Sequence, residues 1–434
     1  MTDPSEGAGA APAGIIEGFY GPPWSWAARA EVLRFGHARG LDLYLYGPKD
    51  DPLHRERWRE PYPVEELDGF AGLVAEGTMT VGFALSPGLS IDVASAEDRA
   101  ALGAKVDQLL GVGITTVALL LDDIPVRPGL GPEHASLTAR LHDHLAGRAS
   151  LILVPTEYAG TRPSVYLDAL AQGVPADVPI GWTGRRVVCD EITVAEAEAR
   201  AEALGGRAPF VWDNYPVNDG LMADRLFLGP LRGRQAGLLD VCSGYVANPM
   251  VQPRASMLPL ASMAAWVRGQ DPLVAWRDTA EELGWLVLAQ ACDGARPAEL
   301  VSRALTAPPA EAAASLDGLD TWLREARHVE APGLEDEAGP WLEQTRAEAR
   351  LGRAAVRLLR RLDDDPGAAV GEEAMGLALG WQELRRSRVT VMGPRCSIRP
   401  ILYNDADGHW QWDAGSIEVD ANAIDRLVRY ALGV

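Results

Sequence analysis

Two adjacent carboxylates follow one of the longest apolar runs of the chain. Asp122 and Asp123 come directly after residues 117–121, a run that is typical of a buried strand. Consecutive side chains of a regular strand point to opposite faces, but at the end of a strand both can reach the same side. Two like charges in a partly dry pocket differ in pKa, so that one group stays ionised while the other keeps a proton. The pair is a candidate for general acid–base chemistry, although a helix N-cap or two metal ligands would use the same residues.

Charged side chains also cluster around Lys49, after the turn residues Gly47 and Pro48. The other titratable residues of this segment are Asp50, Asp51, His54 and Arg55. Each of these four, taken alone, is typical of a surface salt bridge, and together they would hold Lys49 as a positively charged donor. No second histidine stands at ligand spacing from His54, so we expect no metal here.

Residues 212–219 combine an aromatic ring, Trp212, with the amide of Asn214 and the carboxylate of Asp219. Such a set suits a sugar, because the ring covers its apolar CH face while amides and carboxylates bond paired hydroxyls. Similar groups follow other apolar runs, namely Tyr158, Trp182, Thr183 and Asn248. Each of these aromatic residues, taken alone, is more typical of a core, but grouped on loops at one mouth they favour a carbohydrate site.

Eight apolar, β-rich runs alternate with amphipathic, helix-like stretches. The runs are residues 14–17, 41–46, 79–85, 114–121, 150–154, 178–182, 209–212 and 239–242. Strands that alternate with helices pair in parallel, and eight such units in about 250 residues close a (β/α)8 barrel. We therefore predict an α/β fold, a TIM barrel. An open doubly wound sheet is the alternative, but no GxGxxG motif follows the first run.

Polar residues follow all eight predicted strands, and the carboxyl ends of barrel strands meet at one mouth. They include Gly18, Lys49, Ser86, Asp122, Asp123, Glu157, Tyr158, Thr183, Asp213, Asn214 and Asn248. The three clusters described above therefore converge on one site.

Beyond Ser256 the sequence becomes rich in alanine, leucine, glutamate and arginine, which indicates helices. Residues 341–363 and 371–386 are the clearest, with breaks at Pro308, Pro332 and Pro366. We predict a disordered tail over 1–13, the barrel over 14–265 and a mostly helical bundle domain over 266–390. Residues 391–434 would form a short hairpin, within 396–418, and a terminal helix over 421–432.

Composition excludes several classes of function. The 434 residues carry 40 basic and 61 acidic side chains, a formal charge of −21, which leaves no basic footprint for nucleic acid or an anionic membrane. No apolar run approaches the roughly 18 residues that span a bilayer. The first 13 residues lack a secretion signal. The four cysteines are scattered and show no CxxC spacing. We therefore expect a cytoplasmic protein whose cysteines are reduced. GxSxG, P-loop and HExxH motifs are absent, and we expect no metal and no cofactor.

The motifs resemble, in order, those of glycoside hydrolase family 84, the O-GlcNAcases and bacterial β-N-acetylglucosaminidases. The resemblance runs from Gly14 to about Ser256. It covers residues 16–21 with Trp24, 46–51 with His54 and Arg55, 58–62, 86–88, 122–124, 154–158, 182–184, 212–219 and 248–250. The sequence departs from the family at Ala13, where a basic residue is expected, and at Leu121, where an aromatic residue is common.

The resemblance implies retaining, exo-acting hydrolysis of terminal β-linked N-acetylglucosamine (GlcNAc), in which the substrate's own acetamide forms an oxazoline intermediate. Asp122 would bind the acetamide N–H, Asp123 would serve as general acid and then base, and Tyr158 would position the acetamide oxygen. The residues implied in sugar binding are Gly18, Lys49, Asn214, Asp219 and Asn248, with Thr183 and Trp212 around the N-acetyl methyl group. Asp213 is left outside this set, because its side chain can point away from the sugar.

The implied substrate is a GlcNAc-bearing glycoside, glycopeptide or glycoprotein, and a homodimer formed through the helical part is a further expectation. Two alternatives stay open. One is an endo-acting, hyaluronidase-like glycosidase, against which a pocket closed by Asp219 would argue. The other is a catalytically silent GlcNAc-binding barrel, against which the presence of both aspartates and Tyr158 argues.

Overall fold

Eight parallel strands form a closed barrel in the computed structural model, which describes residues 11–384, 386–393, 402–404, 410–412 and 422–434. The strands are β1 (Ala13–Glu17), β2 (Leu43–Tyr46), β3 (Thr80–Leu85), β4 (Thr116–Leu120), β5 (Ser150–Val154), β6 (Ile180–Trp182), β7 (Pro209–Asp213) and β8 (Gly244–Ala247). The alternating helices are α1 (Trp26–His37), α2 (Val64–Ala75), α3 (Ala96–Leu110), α4 (Leu130–Leu145), α5 (Val165–Gly173) and α6 (Val194–Ala203), and α7 (Pro253–Val267) follows β8. Each strand pairs with the next and β8 pairs with β1, so the predicted TIM barrel is confirmed.

Strand alternation decides which residues face the barrel interior. Ile16, Leu120 and Val246 pack inside the barrel, whereas their neighbours Ile15 and Leu119 face the surrounding helices. Because side chains alternate with a period of two, the interior-facing series continues past the strand ends. The residues two positions beyond those three are Gly18, Asp122 and Asn248.

Polar N-caps fix where several barrel helices begin. Ser25, Ser95 and Ser164 accept hydrogen bonds from first-turn backbone N–H groups of α1, α3 and α5. Thr193 and Glu196 form a reciprocal capping box at the start of α6. Each cap stabilises its helix by about 1 kcal/mol, and each therefore gives the preceding loop a defined end.

The eighth strand lies later than predicted. Residues 239–242 do not form a strand, because Leu238–Val241 is a 3-10 helix that begins after Gly237, whose φ is 84°. β8 is the next segment, where Gly244 pairs with Phe210 and Tyr245 with Ala13. A short apolar run does not distinguish a strand from a helical turn, which explains the error. Asn248 nevertheless follows the true strand directly.

β1 begins at Ala13, inside the predicted disordered tail of residues 1–13. The Ala13 N–H donates to Asp42 Oδ1 over 2.9 Å, and the Tyr245 N–H donates to the Pro12 carbonyl over 2.9 Å. These bonds tie the chain to the barrel from Pro12 onward, and the extent of the tail stays a prediction. Residues 1–10 lie outside the described residues.

The part of the chain after α7 is mostly helical, as predicted. Its helices are α8 (Pro272–Glu282), α9 (Leu286–Asp293), α10 (Ala295–Thr306), α11 (Pro309–Ala326), α12 (Glu335–Asp364), α13 (Gly371–Leu384) and α14 (Ala423–Leu432). They pack around a second apolar core that includes Trp285, Leu319, Trp322 and Leu323. The three predicted proline breaks separate α10 from α11, α11 from α12 and α12 from α13.

The last part of the chain contains the antiparallel strands β9 (Leu402–Asn404) and β10 (Trp410–Trp412), followed by α14. They fall where the sequence predicts a hairpin and a terminal helix, and the turn at 405–409 lies outside the described residues. The domain boundaries stay predictions. The boundary predicted after residue 265 falls within α7. Within the described residues, no helix has the length and apolarity required to cross a membrane.

Candidate active site

Asp122 and Asp123 both line one cavity of about 300 Å³. Asp122 continues the interior-facing alternation of β4. Asp123 would face the opposite side of a regular strand, but its φ of 52° lies in the left-handed region, which aspartate adopts more readily than most residues. This turn of the backbone brings two consecutive carboxylates into the same space.

Lys49 binds one oxygen of Asp122. Its Nζ donates to Asp122 Oδ2 over 2.6 Å, and both side chains are buried. The other oxygen, Asp122 Oδ1, is buried and has no hydrogen-bond partner among the described residues. A buried carboxylate oxygen without a donor is costly, so this atom is suited to accept a hydrogen bond from a ligand.

Two phenols hold Asp123, one on each oxygen. Tyr158 donates to Oδ1 over 2.8 Å, and Tyr20 donates to Oδ2 over 2.7 Å. Arg55 Nη1 donates to the Tyr20 hydroxyl over 3.2 Å and so orients it. Burial and the nearby Asp123 charge raise the pKa of both Tyr158 and Tyr20, which keeps the two phenols protonated as donors.

An amide network forms another wall of the cavity. The Gly18 N–H donates to Asn248 Oδ1 over 3.2 Å, and Asn248 Nδ2 donates to Asn214 Oδ1 over 2.9 Å. Trp212 Nε1 donates to the same Asn214 oxygen over 3.0 Å. Gly18 is required at its position, because a Cβ there would lie 2.4 Å from Trp212 Cζ2. The indole is thus held by a hydrogen bond from Nε1, and Gly18 leaves free the space that the ring occupies at Cζ2.

Asp219 reaches the cavity from the loop after β7. Its Oδ2 accepts a hydrogen bond from the Tyr20 backbone N–H over 2.7 Å, which joins this loop to the one after β1. Burial raises the pKa of Asp219, and the Tyr20 N–H opposes part of that increase. Thr183, on the loop after β6, is oriented by its hydroxyl, which donates to the Arg186 carbonyl over 2.9 Å.

All ten sequence-predicted site residues line this single cavity. They are Gly18, Lys49, Asp122, Asp123, Tyr158, Thr183, Trp212, Asn214, Asp219 and Asn248. Val154, Val187 and Val217 complete an apolar part of the wall. A small space that combines apolar walls with convergent carboxylates, amides and an indole fits one sugar ring.

Comparison with known proteins identifies the family. The model for β-N-acetylglucosaminidase matches residues 13–290, which is more than half of the chain. The chain belongs to the β-N-acetylglucosaminidase family, glycoside hydrolase family 84. Rat protein O-GlcNAcase is 34% identical over 273 residues, a match that covers 59% of this chain and 30% of the rat protein. The chain therefore spans less than a third of the curated relatives that it matches.

Solved structures agree with this family assignment. A mutant of the O-GlcNAc hydrolase of Thermobaculum terrenum has a TM-score of 0.78 and 25% identity, covering 96% of this chain and 93% of that chain. A second structure, titled CpGH84B, has a TM-score of 0.79, covers 88% of this chain and 75% of that chain, and at 24% identity supports the fold alone. The family resemblance stated from the sequence is confirmed.

The charged residues around Lys49 differ in their burial and in their hydrogen-bond partners. Asp51 is buried and accepts hydrogen bonds from Tyr46 and from the Leu53 N–H, each over 2.8 Å, whereas Asp50 is exposed. His54 lies against the Ala84 carbonyl, and burial together with the Lys49 charge lowers its pKa to about 3. Asp51 and His54 therefore shape the loop that carries Lys49, instead of reaching the cavity.

Asp213 points away from the cavity. Its carboxylate forms a buried salt bridge with Arg234 and accepts a hydrogen bond from Tyr245. This carboxylate therefore belongs to the framework of the barrel. In the part of the chain that the structure describes, no group of three or more His, Cys, Asp or Glu residues could hold a metal ion.

Sequence reasoning missed Tyr20 as a site residue. Its hydroxyl contacts Asp123 and its backbone contacts Asp219, so it links two candidate functional groups. The available signal was its position two residues after Gly18 in the first strand–loop motif of the family. Its side chain is 45% exposed, which places it at the rim of the cavity.

Proposed function

We propose that the protein is a retaining exo-β-N-acetylglucosaminidase that hydrolyses terminal β-linked GlcNAc. The observation that carries the proposal is the different setting of the two aspartates at one cavity. Asp122 presents an unpaired oxygen beside a lysine, and Asp123 is held by two phenols. Orienting an amide and transferring a proton are different tasks, and the two settings support one task each.

In the first step, the carbonyl oxygen of the substrate's acetamide forms a bond to the anomeric carbon as the bond to the leaving oxygen breaks. Asp122 Oδ1 accepts the acetamide N–H, which orients the group and balances the positive charge of the forming oxazoline ring. Asp123 donates its proton to the leaving oxygen, and the alcohol departs. The substrate supplies the nucleophile, as in the substrate-assisted exceptions to the two-carboxylate scheme.

In the second step, Asp123 acts as a base. It takes a proton from water, whose oxygen forms the new bond to the anomeric carbon while the oxazoline C–O bond breaks. The acetamide is restored, Asp123 is protonated again, and the configuration at the anomeric carbon is retained. Tyr158 has a single O–H, which donates to Asp123 Oδ1 in this structure, and with substrate bound it would turn to donate to the acetamide oxygen.

The other cavity residues would hold the sugar. Lys49, Asn214, Asn248 and the backbone at Gly18 offer donors and acceptors for hydroxyls, while Thr183 and Trp212 would enclose the N-acetyl methyl group. Asp219, fixed by the Tyr20 N–H, would bond hydroxyls on the far side of the ring. Hydroxyls held there would favour an exo-acting enzyme over an endo-acting, hyaluronidase-like one, and the presence of both aspartates and Tyr158 favours an enzyme over a silent sugar-binding barrel.

The natural substrate is proposed as a GlcNAc-bearing glycoside, glycopeptide or glycoprotein. The names of the rat and Thermobaculum proteins describe action on O-GlcNAc, which supports this class. A cytoplasmic location is proposed on the three free cysteines among the described residues, Cys189, Cys242 and Cys292. A homodimer stays a proposal that the size of the protein in solution would test.

Replacement of Asp123 by alanine tests the proposal. Hydrolysis of an aryl β-N-acetylglucosaminide with a poor leaving group should fall by about 10²- to 10⁴-fold, because that oxygen needs a proton to depart. A nitrophenyl leaving group needs little proton donation. For that substrate the rate of the oxazoline-forming step should therefore fall much less. Asp50→Ala removes a nearby exposed carboxylate and serves as the control. Unchanged hydrolysis of both substrates by Asp123→Ala would disprove the assignment.

A further inference from the structure

Helices α12 and α13 leave a long groove between them. Its main cavity has a volume of about 1340 Å³, and a second cavity of about 500 Å³ continues it toward Pro340, with Arg350 lining both. Together they extend along α12 from Pro340 to Asp365, a distance of about 38 Å at 1.5 Å per residue. This length matches an extended polypeptide segment of about ten residues better than a compact small molecule.

The groove carries a local charge opposite to that of the whole chain. Seven arginines line it against five carboxylates, whereas the chain as a whole has 40 basic and 61 acidic residues. Arg361 is paired with Glu373, Arg360 with Asp317 and Asp320. Arg350, Arg357, Arg386 and Arg388 are exposed and have no ion-pair partner within the described part of the chain. In so acidic a protein, four cations without a carboxylate partner in one groove form a distinct patch.

Four of the six arginines of α12 lie along one face of the helix. Arg346, Arg350, Arg357 and Arg361 are spaced by four, seven and four residues, which places them in one stripe. Below them the groove floor is apolar, with Leu351, Leu358 and Leu377 buried. Of the unpaired carboxylates, Asp364 and Asp365 lie at one end and Glu343 and Glu383 near the other, and none interrupts the stripe.

One end of the groove is tied to the wall of the sugar cavity. Ser387 and Val389 line the smaller cavity, and the Thr390 N–H that follows donates to the Asp224 carbonyl over 2.9 Å. The Thr390 hydroxyl donates to Asp224 Oδ2 over 2.8 Å. Asp224 stands two residues after Met222, which lines the sugar cavity. A short, hydrogen-bonded stretch of chain therefore connects the two sites.

We infer that this groove binds an acidic polypeptide segment in extended form. Carboxylates of the segment would pair with Arg350, Arg357, Arg386 and Arg388, and its apolar side chains would contact the leucine floor. We assign the segment to the polypeptide that carries the GlcNAc, and this assignment rests on the proposed function. Nucleic acid would find the same arginines, but its sugar-phosphate backbone has no apolar side chains to cover the floor of Leu351, Leu358 and Leu377.

Direct binding tests the groove without using catalysis. A labelled 12-residue peptide of alternating glutamate and leucine, with no sugar, is titrated with the full chain at low ionic strength and followed by fluorescence anisotropy. The double variant Arg350→Glu/Arg357→Glu should bind it about tenfold more weakly than the wild type, and added salt should weaken wild-type binding. Arg140→Glu/Arg426→Glu makes the same charge change at exposed arginines outside the groove and should bind like the wild type. The inference would be overturned if both double variants lost peptide affinity equally or if the wild type did not bind the peptide. Tighter binding of single-stranded DNA than of the peptide would overturn it as well.

A kinetic arm tests the link to catalysis. Wild-type kcat/KM should be higher for a GlcNAc-peptide with acidic flanks than for one with neutral flanks, and Arg350→Glu/Arg357→Glu should abolish this preference. The same variant should hydrolyse an aryl GlcNAc glycoside at the wild-type rate. If the wild type hydrolyses no GlcNAc substrate but binds the acidic peptide, the proposed function fails and the groove stands. If it hydrolyses both peptides equally, the link between groove and substrate is wrong.

Discussion

Lys49 Nζ lies 2.6 Å from Asp122 Oδ2, in a position where both side chains are less than a tenth exposed. The lysine occupies one oxygen of the carboxylate and leaves the other to the cavity. Lys49→Met would keep the length of the side chain and remove its charge, leaving a buried carboxylate without a partner. We expect kcat/KM for an aryl GlcNAc glycoside to fall by about 10²-fold.

Lys105, the other lysine of the chain, provides the matched control. It is buried as well and donates to the Leu53 carbonyl over 3.0 Å, outside the cavity. Lys105→Met should lower the melting temperature with little change in kcat/KM per folded molecule. If both variants lost activity equally, Lys49 would have no special role.

Gly18→Ala should deform the site through Trp212. The new Cβ would lie 2.4 Å from Trp212 Cζ2, so the indole must move and its hydrogen bond to Asn214 is strained. Overpacking of this kind costs about 1–3 kcal/mol, and we expect kcat/KM to fall by at least about tenfold. Gly72→Ala, in α2 with nothing within 4 Å of its Cβ position, should leave the steady-state kinetics unchanged.

Asp213 and Asp219 should separate stability from activity. Asp213→Asn leaves Arg234 without its buried partner, so the free energy of unfolding should fall by about 3–5 kcal/mol. Asp219→Asn keeps an acceptor for the Tyr20 N–H but loses charge in the cavity. Its unfolding free energy should change by less than about 1 kcal/mol while KM rises. Denaturant titrations and steady-state kinetics on both variants check this, and a reversed pattern would refute the placement of the two carboxylates.

Glu348 should make stability depend on pH. It is buried in α12, where it accepts hydrogen bonds from Gln344 and Asn422, and burial raises its pKa to about 7. The folded state therefore holds a proton that the unfolded state releases near its ordinary pKa. The stability gained from keeping Glu348 protonated is fully present below the ordinary pKa of glutamate. It is lost as the pH rises through the folded-state pKa of about 7.

Unfolding in denaturant at pH 5 and pH 8 measures this effect. Wild-type stability should fall by up to about 3 kcal/mol more over this interval than that of Glu348→Gln, which cannot titrate. Glu343→Gln, at an exposed site on the same helix, should keep the wild-type dependence on pH. Identical pH profiles for the wild type and Glu348→Gln would contradict the burial argument.

Much of the site follows from strand alternation, which can be read from the sequence. Gly18 and Asp122 each stand two residues beyond an interior-facing strand residue, so the sequence predicts that they meet at one mouth, whereas the same relation for Asn248 emerges only with the true position of the eighth strand. Asp123 breaks this rule, because no alternation pattern predicts a φ of 52°. Its position just after a strand end predicts that its side chain can reach the mouth, and the structure supplies the backbone turn that takes it there.

Other features could not be predicted, because they depend on contacts between distant segments. The bond from the Tyr20 N–H to Asp219 joins two loops 199 residues apart, and local sequence contains no trace of it. The same holds for the burial of Asp213 against Arg234. The eighth strand was misplaced for a local reason, since residues 238–241 and 244–247 are both short and rich in apolar residues.

The central claim is that the substrate's acetamide oxygen attacks the anomeric carbon while Asp122 and Asp123 assist. Its most direct test is a series of aryl β-glucosaminides whose N-acetyl group carries zero, one, two or three fluorines, with the 2-hydroxyl glucoside as control. Fluorine withdraws electrons from the carbonyl oxygen, so log kcat/KM should fall steadily along the series, and the glucoside should be hydrolysed barely at all. A kcat/KM that does not change with fluorination, or efficient hydrolysis of the glucoside, would contradict participation of the acetamide.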